Sequence, residues 1–178
     1  MIGYNIAMSI KRRIFDDELW AHFVTFTCFR RRSLLDLDHP KRILLGALNQ
    51  QLKLQSASCV GFVIMPDHVH AIIWFPQSGQ LSKFMQGWKQ KSSFNIRNWY
   101  RENASHYFDE FGFGDKFWQP KYFSFEIESQ NKMEEKLTYM HLNPVRKELV
   151  NKAVDWKWSS ARWYDSRQSV GVPIDWID

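Results

Sequence analysis

The order in which the hydrophobic periodicity changes along the chain limits the fold more than any other feature of the sequence. Stretches dense in β-branched and aromatic residues predict four strands, over His22–Phe29, Ser58–Met65, His68–Phe75 and Phe117–Ile127. Apolar residues at helical spacing predict helices over His39–Leu54 and Leu81–Tyr100. The resulting order, β-α-β-β-α-β, predicts an α+β protein with a ferredoxin-like antiparallel sheet and helices packed on one face.

The sequence continues beyond these six elements. Apolar residues at helical spacing predict an extra helix over Ser129–Leu142, which Pro144 ends or kinks because proline has no backbone N–H. From about residue 145 the sequence is rich in tryptophan, and we expect this tail to pack on the body of the protein. We therefore predict one domain over residues 1–178, a length that can bury a sizeable core.

The sequence lacks the signals of membrane, secreted and nucleotide-binding proteins. The most apolar stretch, Val60–Phe75, is interrupted by a proline, an aspartate and two histidines, so we expect no membrane-spanning helix. Near the N-terminus the positive charges follow the apolar residues, which is the reverse of a signal peptide. Cys28 and Cys59 form no Cys-x-x-Cys motif, so a reducing cytoplasm is the expected location. Gly112-Phe113-Gly114 lacks the rest of a phosphate-binding loop, and no nucleotide cofactor is expected.

Positive charge is concentrated in one part of the chain. The protein has 24 Lys and Arg against 19 Asp and Glu, a net charge of +5. The segment His39–Arg101 has eight basic side chains and one acid, whereas the rest of the chain is net negative. Such segregation indicates an anionic polymer as partner. The alternative is a lysine-rich surface that is merely solvated.

Two histidines stand at the start of the third predicted strand. His68 and His70 are two positions apart on a strand, so their side chains share a face and lie about 7 Å apart along the backbone. Two imidazoles on one face suit a divalent metal ion that a third ligand completes. The alternative is a pair of surface or core histidines with no metal.

A tyrosine and an asparagine are spaced by one helical turn on the extra helix. Tyr139 and Asn143 stand at i and i+4, which places both on one face. The phenol is a candidate nucleophile, and the amide carbonyl is a candidate ligand for a hard cation. Most tyrosines of amphipathic helices are core residues, and that reading is open on spacing alone.

The motifs of the chain, taken together and in order, resemble those of the REP-associated tyrosine transposases, which belong to the single-tyrosine HUH transposases. The residues that carry the resemblance are Pro66-Asp67-His68-Val69-His70, Trp118-Gln119-Pro120, Tyr139-Met140-His141-Leu142-Asn143-Pro144-Val145-Arg146, Asp155-Trp156-Lys157-Trp158-Ser159-Ser160 and Pro173-Ile174-Asp175-Trp176. Relatives commonly have an acid-His pair soon after the Trp-Gln motif. This chain has Glu126 there and no histidine.

The resemblance implies an enzyme that binds single-stranded DNA with small hairpins and cleaves it with Mg²⁺ or Mn²⁺. Carried onto this sequence, His68 and His70 hold the metal ion and Asn143 is its third ligand. Tyr139 attacks the scissile phosphate and forms a 5′-phosphotyrosine, which later reacts backwards to rejoin strands. Some relatives are dimers that share active sites and others act as monomers, so a monomer and a homodimer both remain open.

The resemblance also implies that the basic residues contact DNA phosphates. Such contacts make binding depend strongly on salt concentration. The candidates are Arg30, Arg31 and Arg32 after the first strand and Lys83, Lys89, Lys91, Arg97 and Arg101 on the second helix. Two other classes of function are weighed against the enzyme. A protein derived from such a transposase could bind hairpin DNA without cutting it. An RNA-binding ferredoxin-like domain is disfavoured because its aromatic sheet signature is not recognisable here.

Overall fold

Four strands form one antiparallel sheet in the order β2-β3-β1-β4, as seen in the computed structural model, which describes residues 19–106 and 116–176. The strands are β1 (Ala21–Thr27), β2 (Ser58–Ile64), β3 (His68–Trp74) and β4 (Phe123–Ile127). This is the strand order of a ferredoxin-like βαββαβ fold, which confirms the predicted fold class. β4 is shorter than predicted, because residues 117–122 contribute only an isolated bridge between Cys28 and Trp118.

The two long helices are close to the predicted positions. α1 (Asp38–Gln55) and α2 (Gln80–Asn103) pack on each other and on one face of the sheet. Alternate side chains of β1 show why: Val24 and Phe26 point into the core under these helices, whereas Phe23 belongs to a second core on the opposite face.

The helix that follows β4 lies on that opposite face. α3 (Gln130–His141) begins after Ser129, whose hydroxyl accepts a hydrogen bond from the Lys132 amide as a helix N-cap. Its buried residues, Met133, Leu137 and Met140, join the second core. The sheet is thus covered by two helices on one side and by the tyrosine-bearing helix on the other.

A glycine in β2 lets α3 approach the sheet closely. A Cβ atom at Gly61 would lie 2.5 Å from Met140 Cε and 2.6 Å from Leu137 Cδ2. Gly61 also sits at the irregularity in the pairing of β2 with β3, which turns Val60 and Gly61 to the same face. Only a residue without a side chain leaves room for the helix there.

The Trp-rich segment that follows lies along the outer edge of β2. After α4 (Asn143–Arg146), the Ile64 amide donates to the Trp158 carbonyl and the Ser160 amide to the Phe62 carbonyl. Asp38, at the start of α1, accepts hydrogen bonds from Lys157 Nζ and Trp158 Nε1. A last short helix, α5 (Ala161–Ser166), follows. This segment covers one edge of the sheet and leaves β4 as the other edge.

Within the described ranges of the chain, no helix is long and apolar enough to cross a bilayer.

Candidate active site

The two histidines of β3 project from the face of the sheet that α3 covers. The ring centroids of His68 and His70 lie 4.8 Å apart, with the rings inclined at 77°. Both side chains are largely buried. The structure therefore brings the predicted pair together on one face, as the alternation of side chains along a strand requires.

Each imidazole has a hydrogen-bond partner at Nδ1. His68 Nδ1 donates to Asp67 Oδ1 at 2.5 Å, and His70 Nδ1 lies 2.7 Å from Thr25 Oγ1 on the neighbouring strand. A partner at Nδ1 fixes the ring orientation and leaves Nε2 as the atom that can bind a cation, which is the usual arrangement of metal-binding histidines. The hydrogen bond from His68 also holds the pKa of the Asp67 carboxyl below its usual value.

Burial decides the charge of His70. Desolvation lowers the pKa of this imidazole to about 3, and the neighbouring His68 adds to the effect. The ring is therefore neutral at pH 7, the form whose nitrogen lone pair can bind a metal ion.

Tyr139 lies directly beside the histidine pair. Its ring centroid is 5.6 Å from that of His70 and 6.4 Å from that of Phe23, both in edge-to-face geometry. The tyrosine remains 41% exposed, unusually open for a large side chain of a packed helix. An exposed phenol next to two buried imidazoles differs from the core tyrosine that spacing alone left open.

Two cations flank the Tyr139 ring. The Arg146 guanidinium carbon lies 5.3 Å from the ring centroid, and one of its nitrogens donates to the Tyr139 carbonyl at 3.3 Å. Lys136 Nζ lies 5.8 Å from the same centroid and 5.4 Å from that of Phe125. These distances suit cation–π contacts. Lys136 Nζ is also paired with Glu135 Oε1 at 2.8 Å.

Asn143 lies beyond the end of α3, in a second short helix. α3 ends at His141, and Asn143 begins α4 with Pro144 behind it. The Asn143 side chain is buried, and within the described ranges its Nδ2 atom has no hydrogen-bond partner. The unpaired atom is an N–H donor, so a cation could bind only the amide oxygen of Asn143.

These residues fit a divalent cation by the chemistry of their donors. The two imidazoles have partners at Nδ1 and so offer Nε2, and the buried Asn143 side chain carries an amide oxygen, an atom type that binds hard cations. Among residues 19–106 and 116–176, no group of three His, Cys, Asp or Glu side chains forms a complete site. Any bound ion would therefore need oxygen ligands from an amide, from water or from a substrate phosphate.

The three arginines after β1 divide between two places. Arg31 pairs with Asp67, its nitrogen 3.5 Å from Oδ2, and so stands beside the histidine pair. Arg32 and Arg101 both lie close enough to Arg97 to act on its charge, and Arg101 is one helical turn from Arg97 on α2. Burial, followed by the charges of Arg32 and Arg101, lowers the pKa of Arg97. Arg30 is exposed in the turn between these two places.

The lysines of α2 differ in their availability. Lys83 and Lys91 are exposed, whereas Lys89 Nζ donates to the carbonyls of Gln119, Pro120 and Lys121 at 2.7–3.3 Å. The Lys89 ammonium is thus hydrogen-bonded to the loop before β4, so this lysine has a structural role. Lys83 is about 20 Å from Arg97 along the helix axis, so it lies far from the arginines of the same helix.

Some functional candidates come only from the structure. Thr25 contacts His70 from another strand, and Arg146, which the motif contains without a role, contacts Tyr139. The sequence could not predict either contact, because strand pairing brings Thr25 to His70 and the turn after α3 brings Arg146 to Tyr139. Glu126 pairs with His22 across β1 and β4, on the side of the sheet away from Tyr139.

The family model described as IS200-like transposase matches residues 16–143, which include the histidine pair, Tyr139 and Asn143. No curated protein matches the chain.

Two solved structures match this chain. One, a REP-associated tyrosine transposase bound to a REP hairpin, has 21% identity and a TM-score of 0.67, over 96% of this chain and 94% of that one. The other, a candidate transposase from Deinococcus radiodurans R1, has 19% identity and a TM-score of 0.49, over 73% of this chain and 94% of that one. The family match confirms the transposase resemblance seen in the sequence motifs: the chain belongs to the IS200-like transposase family.

Proposed function

We propose that this protein is a metal-dependent DNA strand transferase of the REP-associated type, which binds hairpin-bearing single-stranded DNA and cleaves it through Tyr139. One observation carries the proposal. The exposed phenol of Tyr139 lies beside two buried imidazoles that have their Nδ1 atoms engaged and their Nε2 atoms available.

The proposed reaction is a transesterification. The Tyr139 oxygen forms a bond to the scissile phosphorus, and the bond from phosphorus to the 3′-oxygen breaks. The phenol loses a proton and the departing 3′-hydroxyl gains one, so no outside reactant is needed. The product is a 5′-phosphotyrosine, and attack by a 3′-hydroxyl on it rejoins strands.

His68, His70 and Asn143 would hold Mg²⁺ or Mn²⁺. A bound divalent ion supplies polarisation of a non-bridging phosphate oxygen and offsets charge in the transition state. Asp67 and Thr25 orient the two imidazoles through their Nδ1 atoms. Arg146 adds positive charge beside the Tyr139 ring, where the phosphate would arrive, and Lys136, paired with Glu135, lies near the same ring.

Binding of the DNA backbone is assigned to the basic residues at the same end of the sheet. Arg31 stands beside Asp67, and the neighbouring group of Arg32, Arg97 and Arg101 extends the positive surface. The solved REP-associated transposase to which this fold is similar holds a REP hairpin, and we extend that partner to this chain. Phosphate contacts of this kind weaken steeply as salt rises.

The decisive experiment looks for the covalent intermediate. The protein is incubated with end-labelled, hairpin-bearing single-stranded DNA and Mn²⁺, and the products are run on a denaturing gel. We expect a protein–DNA adduct in the parent and in Tyr122→Phe, the matched control. We expect none in Tyr139→Phe or without a divalent ion.

Persistence of the adduct in Tyr139→Phe would refute the nucleophile assignment. Normal cleavage by both His68→Ala and His70→Ala would refute the metal assignment. Salt-sensitive binding with no cleavage of any hairpin substrate would identify a DNA-binding protein that has lost the chemistry.

A further inference from the structure

A row of side chains connects the histidine pair to the open edge of the sheet. In the strand pairing, Thr25 of β1 stands opposite His70 of β3 on one side and opposite Phe123 of β4 on the other. Residues opposed across neighbouring strands share a face, and strands are spaced by about 4.8 Å. Phe123 is therefore about 10 Å from His70, on the same face of the sheet.

A row of aromatic rings runs beside this row. Phe125 stacks on Phe23 with ring centroids 5.2 Å apart, and Phe23 stacks on His70 at 5.4 Å. Phe123 contacts Phe125 at 5.8 Å. Phe123, Phe125 and Phe23 thus form a continuous aromatic strip, and Phe23 in turn contacts the Tyr139 ring.

The outer end of this strip is open. Phe123 is 62% exposed, whereas Phe125 is half-buried and Phe23 is buried. What sets Phe123 apart from a single exposed phenylalanine is that its ring continues an aromatic strip that reaches Tyr139. Lys136 lies over Phe125 and toward Tyr139 but is paired with Glu135 at 2.8 Å, so the positive charge at the inner end of the strip comes mainly from Arg146 beside the Tyr139 ring.

We infer that Phe123, supported by Phe125, is a stacking site for an unpaired nucleobase of the nucleotide that flanks the phosphate beside Tyr139. An apolar ring next to cations is complementary to single-stranded DNA, whose bases have π faces and whose phosphates are anionic. The strip also runs without interruption into the proposed catalytic site. The choice of the nucleotide beside the scissile phosphate rests on the proposed function.

A second copy of this chain is the other possible occupant of an open edge strand. Edge-to-edge pairing would use the backbone of β4 and would cover Phe123 from outside. The rings that reach from Phe123 to Tyr139, together with the adjoining positive charge, favour a nucleotide. Oligomeric state therefore becomes one arm of the test.

The test measures coupling between one ring and one base. The Tyr139→Phe protein, which keeps the DNA intact, is titrated by fluorescence anisotropy with hairpin DNA whose single-stranded nucleotides are made abasic one at a time. We expect one abasic position to weaken binding about 5- to 100-fold, as loss of one stacked base does. Phe123→Ala should cause a similar loss with intact DNA and no further loss with that abasic DNA.

Matched variants separate stacking from general damage. Phe123→Tyr, which keeps a ring, should retain binding close to the parent. Phe94→Ala removes an equally exposed phenylalanine, 66% accessible on α2, and should leave both affinity and coupling unchanged. Far-ultraviolet circular dichroism checks that each variant is folded.

Three results would overturn the inference. The first is parent-like binding by Phe123→Ala, and the second is a loss of affinity from Phe123→Ala that adds to the loss from every abasic position. The third is a lower sedimentation mass for Phe123→Ala than for the parent, which would reveal a second copy on this surface. Adduct formation through Tyr139 together with any of these would refute the stacking site and leave the proposed function intact. Coupling at one position with no adduct would support the stacking site and refute the cleavage proposal.

Discussion

His141 Nε2 lies 2.7 Å from Ser160 Oγ, and this buried bond ties the last turn of α3 to the segment that lies along β2. The same hydroxyl accepts a hydrogen bond from the Phe62 amide of β2. The helix that carries Tyr139 is thus attached to the sheet through a serine nineteen positions beyond His141. Its position over the histidine pair depends on the C-terminal segment.

Ser160→Ala should destabilise the protein by about 1–3 kcal/mol, because it leaves a buried imidazole and a buried amide without their partner. Urea unfolding followed by tryptophan fluorescence measures the change. Ser166→Ala is the control, since that exposed hydroxyl bonds only to its own helix. Equal stability of the two variants would show that the Ser160 bonds contribute little.

Stability should fall with acid in a window set by His141. Burial lowers the pKa of this imidazole to about 4 from an ordinary value of 6.5. As pH falls the unfolded state takes up the proton first, so the contribution is present above pH 6.5. It is lost progressively between pH 6.5 and 4, by about 3 kcal/mol in all.

The measurement compares urea unfolding of the parent and of His141→Gln from pH 7.5 to 4. Glutamine keeps a polar side chain and does not titrate there, so the difference between the two curves isolates His141 from the other histidines. Parallel curves would contradict the buried, neutral state of this ring.

Gly61→Ala should cost about 1–3 kcal/mol and should slow adduct formation, because the new methyl group would displace Met140 and Leu137, which are one and two residues from Tyr139 on α3. Gly46→Ala is the matched control: nothing lies within 4 Å of the site of its methyl group, and alanine in a helix is favourable by about 0.5–1 kcal/mol. Thermal unfolding and gel assays give the two values. A harmless Gly61→Ala would mean that α3 has room to move.

Asp67→Asn should weaken Mn²⁺ binding about 10- to 100-fold, since it removes the carboxylate that orients His68. Isothermal titration of the DNA-free protein with Mn²⁺ provides the measurement. Asp165→Asn, a change at an exposed position of α5, should have no effect. An unchanged affinity in Asp67→Asn would separate this aspartate from the metal site.

Lys89 and Lys91 should behave differently although they are two residues apart. Lys89→Met removes three hydrogen bonds to carbonyls and should lower stability by about 1–3 kcal/mol. Lys91→Met should leave stability unchanged and reduce the slope of log affinity against log salt by about one. Stability is read from urea unfolding and the slope from anisotropy titrations. Equal salt slopes for Lys91→Met and the parent would remove Lys91 from the DNA interface.

Much of the fold was predictable because it depends on local patterns. The change from period 2 to helical spacing identified the strands and both long helices, and two-residue alternation alone placed His68 and His70 on one face. The pattern was less informative near β4. There Trp118 and Lys89 bind backbone and side-chain groups of distant elements, and the aromatic residues before Phe123 do not continue the strand.

The candidate site shows the same division. The sequence by itself determined which chemical groups are available: a histidine pair, a helical tyrosine and an excess of positive charge in one segment. Tertiary structure alone decided that Tyr139 faces His70, that Arg146 and Lys136 flank the phenol, and that Lys89 is engaged elsewhere. The spacing of residues along one helix or strand predicts which side chains share a face of that element, and no more. Which groups meet across the sheet depends on strand pairing and on the close approach that Gly61 allows.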